Sequence, residues 1–247
     1  MCMMPFIGHK QEVYQLVLGK GCVKKIMKEF MRKYFPPYLF FPVLMLIVSN
    51  IGVYYGAKVF NAILGRPYID MTGALELATP VIPMFSLFYV AAFPFWYISY
   101  YLLCRSSKEL CYQIVLTDVI AKLFCGALFV LIPTTNIRPE VTGAGIGEIV
   151  LRFIYHMDTP HNLFPSVHCL ESWLCFAYIR DSKAPRWLKI SCFLLAIAIC
   201  LSTVFVAQHV WIDVFAGVLI AEFFRVFVPY IMSVMSTAKI QPHRVRY

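Results

Sequence analysis

The sequence predicts an all-α protein, a polytopic membrane helical bundle of about six transmembrane helices with both termini cytoplasmic. Three observations carry this. Of the 247 residues, 60% are hydrophobic and only 14% charged, with a mean hydropathy of +0.71, well outside the range of soluble domains. Apolar runs long enough to cross a bilayer recur along the whole chain. The basic residues between those runs concentrate in alternate loops, on one side of the membrane.

In chain order, residues 1–36 read as a basic amphipathic cytoplasmic segment, 37–235 as a transmembrane catalytic domain and 236–247 as a basic cytoplasmic tail. The first segment lacks an early apolar core, so no cleavable signal peptide is expected. Val23, Ile26, Met27, Phe30 and Met31 recur at helical spacing opposite Lys24, Lys25, Lys28 and Arg32. That pattern suits a helix lying in the interface against anionic lipid. The net charge of +9 could also suggest nucleic acid, but no fold motif or aromatic platform accompanies it.

The apolar runs fall near 37–57, 80–103, 112–132, 164–180, 187–206 and 209–235. The last two nearly merge, so the chain must reverse around Val206–His209, where Gln208 and His209 are polar. Seven basic residues (Lys10, Lys20, Lys24, Lys25, Lys28, Arg32, Lys33) precede the first run. On the same side fall two more (Arg105, Lys108), then four (Arg180, Lys183, Arg186, Lys189), then three (Lys239, Arg244, Arg246). The opposite side holds only Lys58, Arg66, Arg138 and Arg152, which makes it the outer one. The nine cysteines show no CxxC or zinc-type spacing and read as packing thiols.

On this topology three polar motifs meet at the outer face. Arg138-Pro139 follows the third run, Pro165-Ser166-Val167-His168 opens the fourth, and His209 opens the sixth with Asp213 one turn deeper. Ionisable groups at membrane depth are costly, which makes them candidates for a site. An imidazole held by a carboxylate at i, i+4 is a good nucleophile toward phosphorus, and a second imidazole can protonate the leaving oxygen. Arg138 matches phosphate oxygens with a planar fork of donors. Pro165 as first helical residue would leave the amides of Ser166 and Val167 facing an anion. Each residue singly also has a structural reading; their common face favours a site.

F-P-S-V-H at 164–168, followed by S-T-x4-Q-H-x3-D ending at Asp213, resembles the type 2 phosphatidic acid phosphatase superfamily. Its pattern is K-x6-R-P, then P-S-G-H, then S-R-x5-H-x3-D, and the resemblance covers about residues 80–235. It implies a helical bundle, commonly of six spans, that hydrolyses or transfers lipid phosphate groups without metal or other cofactor. By this resemblance Arg138 and Ser166 would bind phosphate and His168 would be the general acid. His209 would be the nucleophile, and Asp213 its orienting partner. The chain departs from the pattern in having Leu131 for the lysine, Val167 for the glycine, and Thr203 after Ser202 for the arginine. Ser202 and Thr203 therefore stand where phosphate ligands are expected, and Arg152, His161 and Asn162 are candidate substitutes for the missing cations. Arg66-Pro67 lies outside the motif order and reads as a decoy. Asp118 with Lys122, and Glu222 with Arg225, read as neutralising pairs. Glu171, one turn from His168, reads as a hydrogen bond to a neighbouring helix, with tuning of the general acid as its alternative.

The expected function is metal-independent cleavage of a phosphorylated lipid, as phosphatase or pyrophosphatase, through a phosphohistidine at the extracytoplasmic face of the cell membrane. One alternative is a phosphotransferase similar to the inositolphosphorylceramide and sphingomyelin synthases, moving a headgroup to a lipid or polyol hydroxyl. The other is a non-catalytic membrane scaffold or lipid-binding protein. The partners implied are the phosphorylated lipid and the surrounding membrane lipids, without nucleic acid; the sequence assigns no oligomeric state.

Overall fold

A computed structural model describes residues 23–30 and 32–240. The expectations placed on Cys2, Lys10, Lys20, Cys22, Met31, Arg244 and Arg246, and on the tail past 240, lie outside them. Regular structure is almost entirely helical: α1 (Phe40–Ile63), α2 (Ala74–Ala78), α3 (Ser86–Ser106), α4 (Lys108–Leu131), α5 (Ile146–Met157), α6 (Val167–Asp181), α7 (Arg186–Phe205) and α8 (Trp211–Ile240). Residues 23–30 are helical as well, and Val23, Ile26, Met27 and Phe30 are exposed there.

Among the described residues, five helices are long and apolar enough to cross a membrane, namely α1, α3, α4, α7 and α8. The run at 164–180 behaves differently. Its helix α6 has 15 residues, roughly 22 Å at 1.5 Å per residue, against roughly 30 Å of hydrocarbon. Ten of those residues are buried, because α3, α4, α7 and α8 surround it. Small residues at the crossings let the helices approach: Ala92, Ala121, Ala196 and Ala221 are all fully buried. A Cβ on Gly217 of α8 would stand 2.5 Å from the carbonyl oxygen of Ser166, so this crossing requires glycine. By contrast α1 packs mainly on α4 and keeps most of its apolar surface outward. Phe40, Ile63, Tyr97, Leu219 and Phe223 belong to this exposed apolar belt, the surface a bilayer would cover.

Local chemistry explains the reversals. Ser107 alone separates α3 from α4; it is extended and its Oγ caps α4 by accepting from the Leu110 amide at 3.1 Å. The predicted turn at Val206–His209 is a Schellman-type ending of α7. Ala207 takes a left-handed conformation (φ 47°), its amide donates to the Val204 carbonyl at 2.8 Å, and the Gln208 amide donates to the Thr203 carbonyl at 2.9 Å. Alanine lacks the freedom of glycine at such a position, so this turn carries strain of about 1 kcal/mol.

The polar connections at the histidine end are structured too, which the sequence reading missed. Strands β1 (Ile69–Asp70) and β2 (Thr134–Thr135) pair in parallel, and α5 packs against α3 and the turn at Pro83–Phe85 before it. Gly147, Leu151 and Ile154 bury one face of α5 at helical spacing. A Cβ on Gly147 would meet the backbone of Pro83 and Met84 at 2.7 Å, so α5 can pack this closely only with glycine there. All seven cysteines among the described residues are free and buried.

Candidate active site

The site grows from the turn just described. The Thr203 carbonyl also accepts the His209 amide at 3.0 Å, fixing where the imidazole leaves the chain. His209 precedes α8 instead of opening it, so the His209–Asp213 pair does not lie along one helix face as the spacing suggested. Asp213 is the third residue of α8 and reaches back: its Oδ2 accepts the Val210 amide at 3.1 Å and meets His209 Nδ1 at 3.1 Å. A carboxylate in this place satisfies an open amide of the helix start and favours the N-terminal end of the dipole. Asp213 is fully buried, and its Oδ1 has no protein partner.

Helix α6 delivers the second imidazole. Pro165 is not the first residue of this helix as expected but precedes its cap; Ser166 is that cap, accepting the Cys169 amide on its Oγ at 3.3 Å. Its own amide donates to the Asp213 carbonyl at 3.1 Å, so it is not free for an anion as the sequence suggested. That bond ties the starts of α6 and α8 together and brings His168 and His209 to one cavity. His168 stacks on Tyr89 with centroids 4.1 Å apart and meets Trp96 edge-on at 4.9 Å. Its Nε2 is buried without a protein partner.

Arg138 reaches this end through Gln208. One terminal nitrogen donates to Gln208 Oε1 at 2.6 Å, the other to the Asp158 carbonyl, and the guanidinium lies 5.0 Å from the Tyr155 ring centroid. Burial pulls its pKa below the ordinary arginine value, against the nearby Asp158. Its Nε and the Nε2 of Gln208 have no protein partner.

The cavity is about 540 Å³ and is lined by His161, Asn162, His168, Gln208 and His209, with Lys122 and Glu171 also on its wall. Asn162 is buried in a left-handed conformation (φ 58°), which asparagine tolerates, and donates to the Tyr54 carbonyl at 3.1 Å. His161 packs against Tyr68 in a tilted arrangement with centroids 4.1 Å apart, and its pKa is lowered by burial, then by Lys58 and Arg138. The wall also includes Tyr55, Phe93, Phe153 and Met157, each also exposed on the outside of the bundle, so apolar outer surface continues into the cavity.

The remaining candidates stand elsewhere. Ser202 and Thr203 are fully buried behind the turn, their hydroxyls donating to the Ile199 and Cys200 carbonyls at 2.6 and 2.8 Å. Thr203 acts here through its backbone. Arg152 does not line the cavity; it donates to the Gly143 carbonyl at 2.7 Å and holds the loop of α5. Leu131 is 66% exposed at the end of α4, and Arg66 donates to the Val130 and Leu131 carbonyls, an arginine at a helix C-terminus. The sequence reading missed Gln208 as a site residue and Lys58 as a second cation. Lys58 donates to Thr159 Oγ1 at 2.6 Å, and that oxygen lies 3.1 Å from His161 Nδ1. Only a contact across about 100 residues reveals this, and no local spacing encodes it.

These features define a multi-span helical membrane protein with two histidines on one cavity wall and a buried carboxylate behind one of them. The PAP2 superfamily matches residues 81–235, more than half of the chain, and the chain belongs to that superfamily. Its members are phosphatases or phosphotransferases. Comparison with curated proteins and with solved structures gave no match.

Proposed function

We propose that the protein is a membrane lipid phosphatase or pyrophosphatase working through a phosphohistidine at the extracytoplasmic face. The observation that carries this is His209, held by the buried Asp213, on the wall of one cavity with His168, whose Nε2 is unpartnered. With Nδ1–H donating to Asp213, the lone pair of His209 sits on Nε2 and attacks phosphorus. The P–O bond to the lipid breaks as His168 gives its proton to the leaving oxygen. Water then attacks the phosphohistidine, the P–N bond breaks, and His168 takes the proton back. Gln208, on the cavity wall, donates its free Nε2–H to a phosphoryl oxygen, and Arg138 behind it holds the Gln208 Oε1 and supplies positive charge. Ser166 and Ser202 hold the two helix ends behind them.

The lipid reaches the site past Tyr55, Phe93, Phe153 and Met157, whose apolar surfaces suit an acyl chain. On this reading α6 is the sixth span, short because it is buried in protein, and both termini are cytoplasmic by the basic-residue bias.

A phosphotransferase reading has its own observation. Leu131 and Thr203 replace two cations, and the terminal nitrogens of Arg138 are already hydrogen-bonded to protein. A phosphodiester brings one negative charge fewer than a dianionic monoester and suits this sparse shell. Incubating the purified protein with radiolabelled phospholipids and polyprenyl phosphates, with and without polyol or lipid acceptors, separates the two. Free phosphate alone supports hydrolysis, and a new phospholipid dependent on acceptor supports transfer. Retention of label on neither product, with His209 unmodified, overturns both.

A further inference from the structure

Below the histidines, the same cavity has a second polar group. Lys122 of α4 is 1% exposed and ion-paired with Asp118 at 2.8 Å and with Glu171 of α6. Tyr100 donates to Asp118 Oδ1 at 2.8 Å, closing that side of the cluster. Glu171 is 2% exposed, and its Oε2 has no protein partner. Two carboxylates thus face one ammonium, an arrangement costly to bury unless a further donor completes it. If the cluster served only to tie α4 to α6, no atom of it would need to face a cavity. Yet Lys122 and Glu171 both line the 540 Å³ catalytic cavity, and with Trp96 and Asn50 they join it to a second, inner cavity of about 120 Å³.

The depth of the cluster narrows its ligand. Glu171 is three residues beyond His168 on α6, about 4.5 Å along the axis at helical rise. A lipid whose leaving oxygen meets His168 places there the atoms two or three bonds from that oxygen. An acceptor oxygen without a partner calls for a hydroxyl or an amide N–H at that position. The fully esterified glycerol of phosphatidate and the hydrocarbon of polyprenyl phosphate carry no such donor.

Resting on the lipid-phosphoryl reading above, we propose that Glu171, held by Lys122, is a specificity subsite. It selects phosphorylated lipids bearing a hydroxyl or amide N–H beside the phosphate-bearing carbon, as in lysolipids and sphingoid lipids. The aromatic wall at Trp96 and the inner cavity receive the hydrocarbon that follows. Glu171 is a positioning and recognition residue here, not a participant in bond breaking.

The test uses the full chain in mixed micelles with lysophosphatidate and its deoxy analogue lacking the free hydroxyl, each as monoester and as ethanolamine diester. Ceramide phosphate, phosphatidate and polyprenyl phosphate complete the panel. The donor-bearing lipids should exceed their donorless counterparts about tenfold or more in kcat/KM, mostly through KM, the size expected for one hydrogen bond to a charged acceptor. Glu171→Gln should narrow that ratio to within about threefold. Equal kcat/KM across the wild-type panel overturns the subsite while leaving the catalytic reading intact, and this measurement stands even if the variant does not fold. An undiminished ratio in Glu171→Gln overturns the assignment to that residue. Absence of turnover on every lipid overturns the catalytic reading and the subsite with it.

Discussion

The two ends of the helical bundle handle charge in opposite ways. At the end remote from the histidines, Glu222 accepts from Arg180 at 3.1 Å, from Arg225 at 2.7 Å and from Trp173 at 2.8 Å, and Arg225 also meets Asp181 at 2.6 Å. No atom of that network is left buried without a partner. At the histidine end, Arg138 Nε, Asn162 Oδ1, His168 Nε2, Gln208 Nε2 and Asp213 Oδ1 are all buried and unpartnered. A closed network ties helices together, whereas a cluster of open donors and acceptors around a cavity is built to be completed by something else. Exposure separates them as well: Glu222 remains 30% exposed and Asp213 is at 0%. The difference shows why sequence spacing alone misleads. Glu222 and Arg225 at i, i+3 resemble His209 and Asp213 at i, i+4, yet only His209 of these four lies on the wall of the 540 Å³ cavity.

The largest expected effect contrasts the ends directly. His209→Ala should remove turnover by about five orders of magnitude, the loss seen when a nucleophile is deleted. Glu222→Gln should keep turnover and change stability by no more than about 1 kcal/mol, since partly exposed ion pairs contribute little. Phosphate release and thermal melts in detergent measure both. Comparable losses of activity in the two variants would break the contrast.

Asp213→Asn comes next. It retains the size of the carboxylate but not its charge, and turnover should fall by roughly three to four orders of magnitude. A trapped phosphohistidine should form more slowly while lipid binding persists. An equal fall for Asp213→Asn and His209→Ala would mean that Asp213 holds the fold, not the imidazole.

The smallest effect is a pH dependence of stability. His161 has a lowered pKa because of burial and of Lys58 and Arg138, so the native state disfavours the imidazolium more than the unfolded chain does. The stability linked to this group is complete above the ordinary value of 6.5 and is lost as pH falls from there through the lowered native pKa. Melting temperature should therefore decline on acidification through that window, and His161→Gln should flatten the slope. An unchanged slope would remove Lys58 and Arg138 as the source of a positive field at the cavity mouth.

Much was already determined by the sequence. Hydrocarbon demands long apolar helices, so composition and run length predicted the helical class, the turn at Val206–His209 and five of the span positions. The motif order carried the family, and His168, His209 and Asp213 stand out because ionisable groups are costly in apolar segments. Tertiary structure alone decided the rest. Helix α6 looked like another span of ordinary length, but its burial by four neighbours is a property of packing, which hydropathy does not report. Ser166 faces the Asp213 carbonyl, and Thr203 holds His209 by its backbone, because a main-chain hydrogen bond leaves no trace in side-chain identity. Gln208, Lys58 and Glu171 acquired their places from partners distant in the chain, and contacts of that range depend on how helices cross, not on spacing along any one of them.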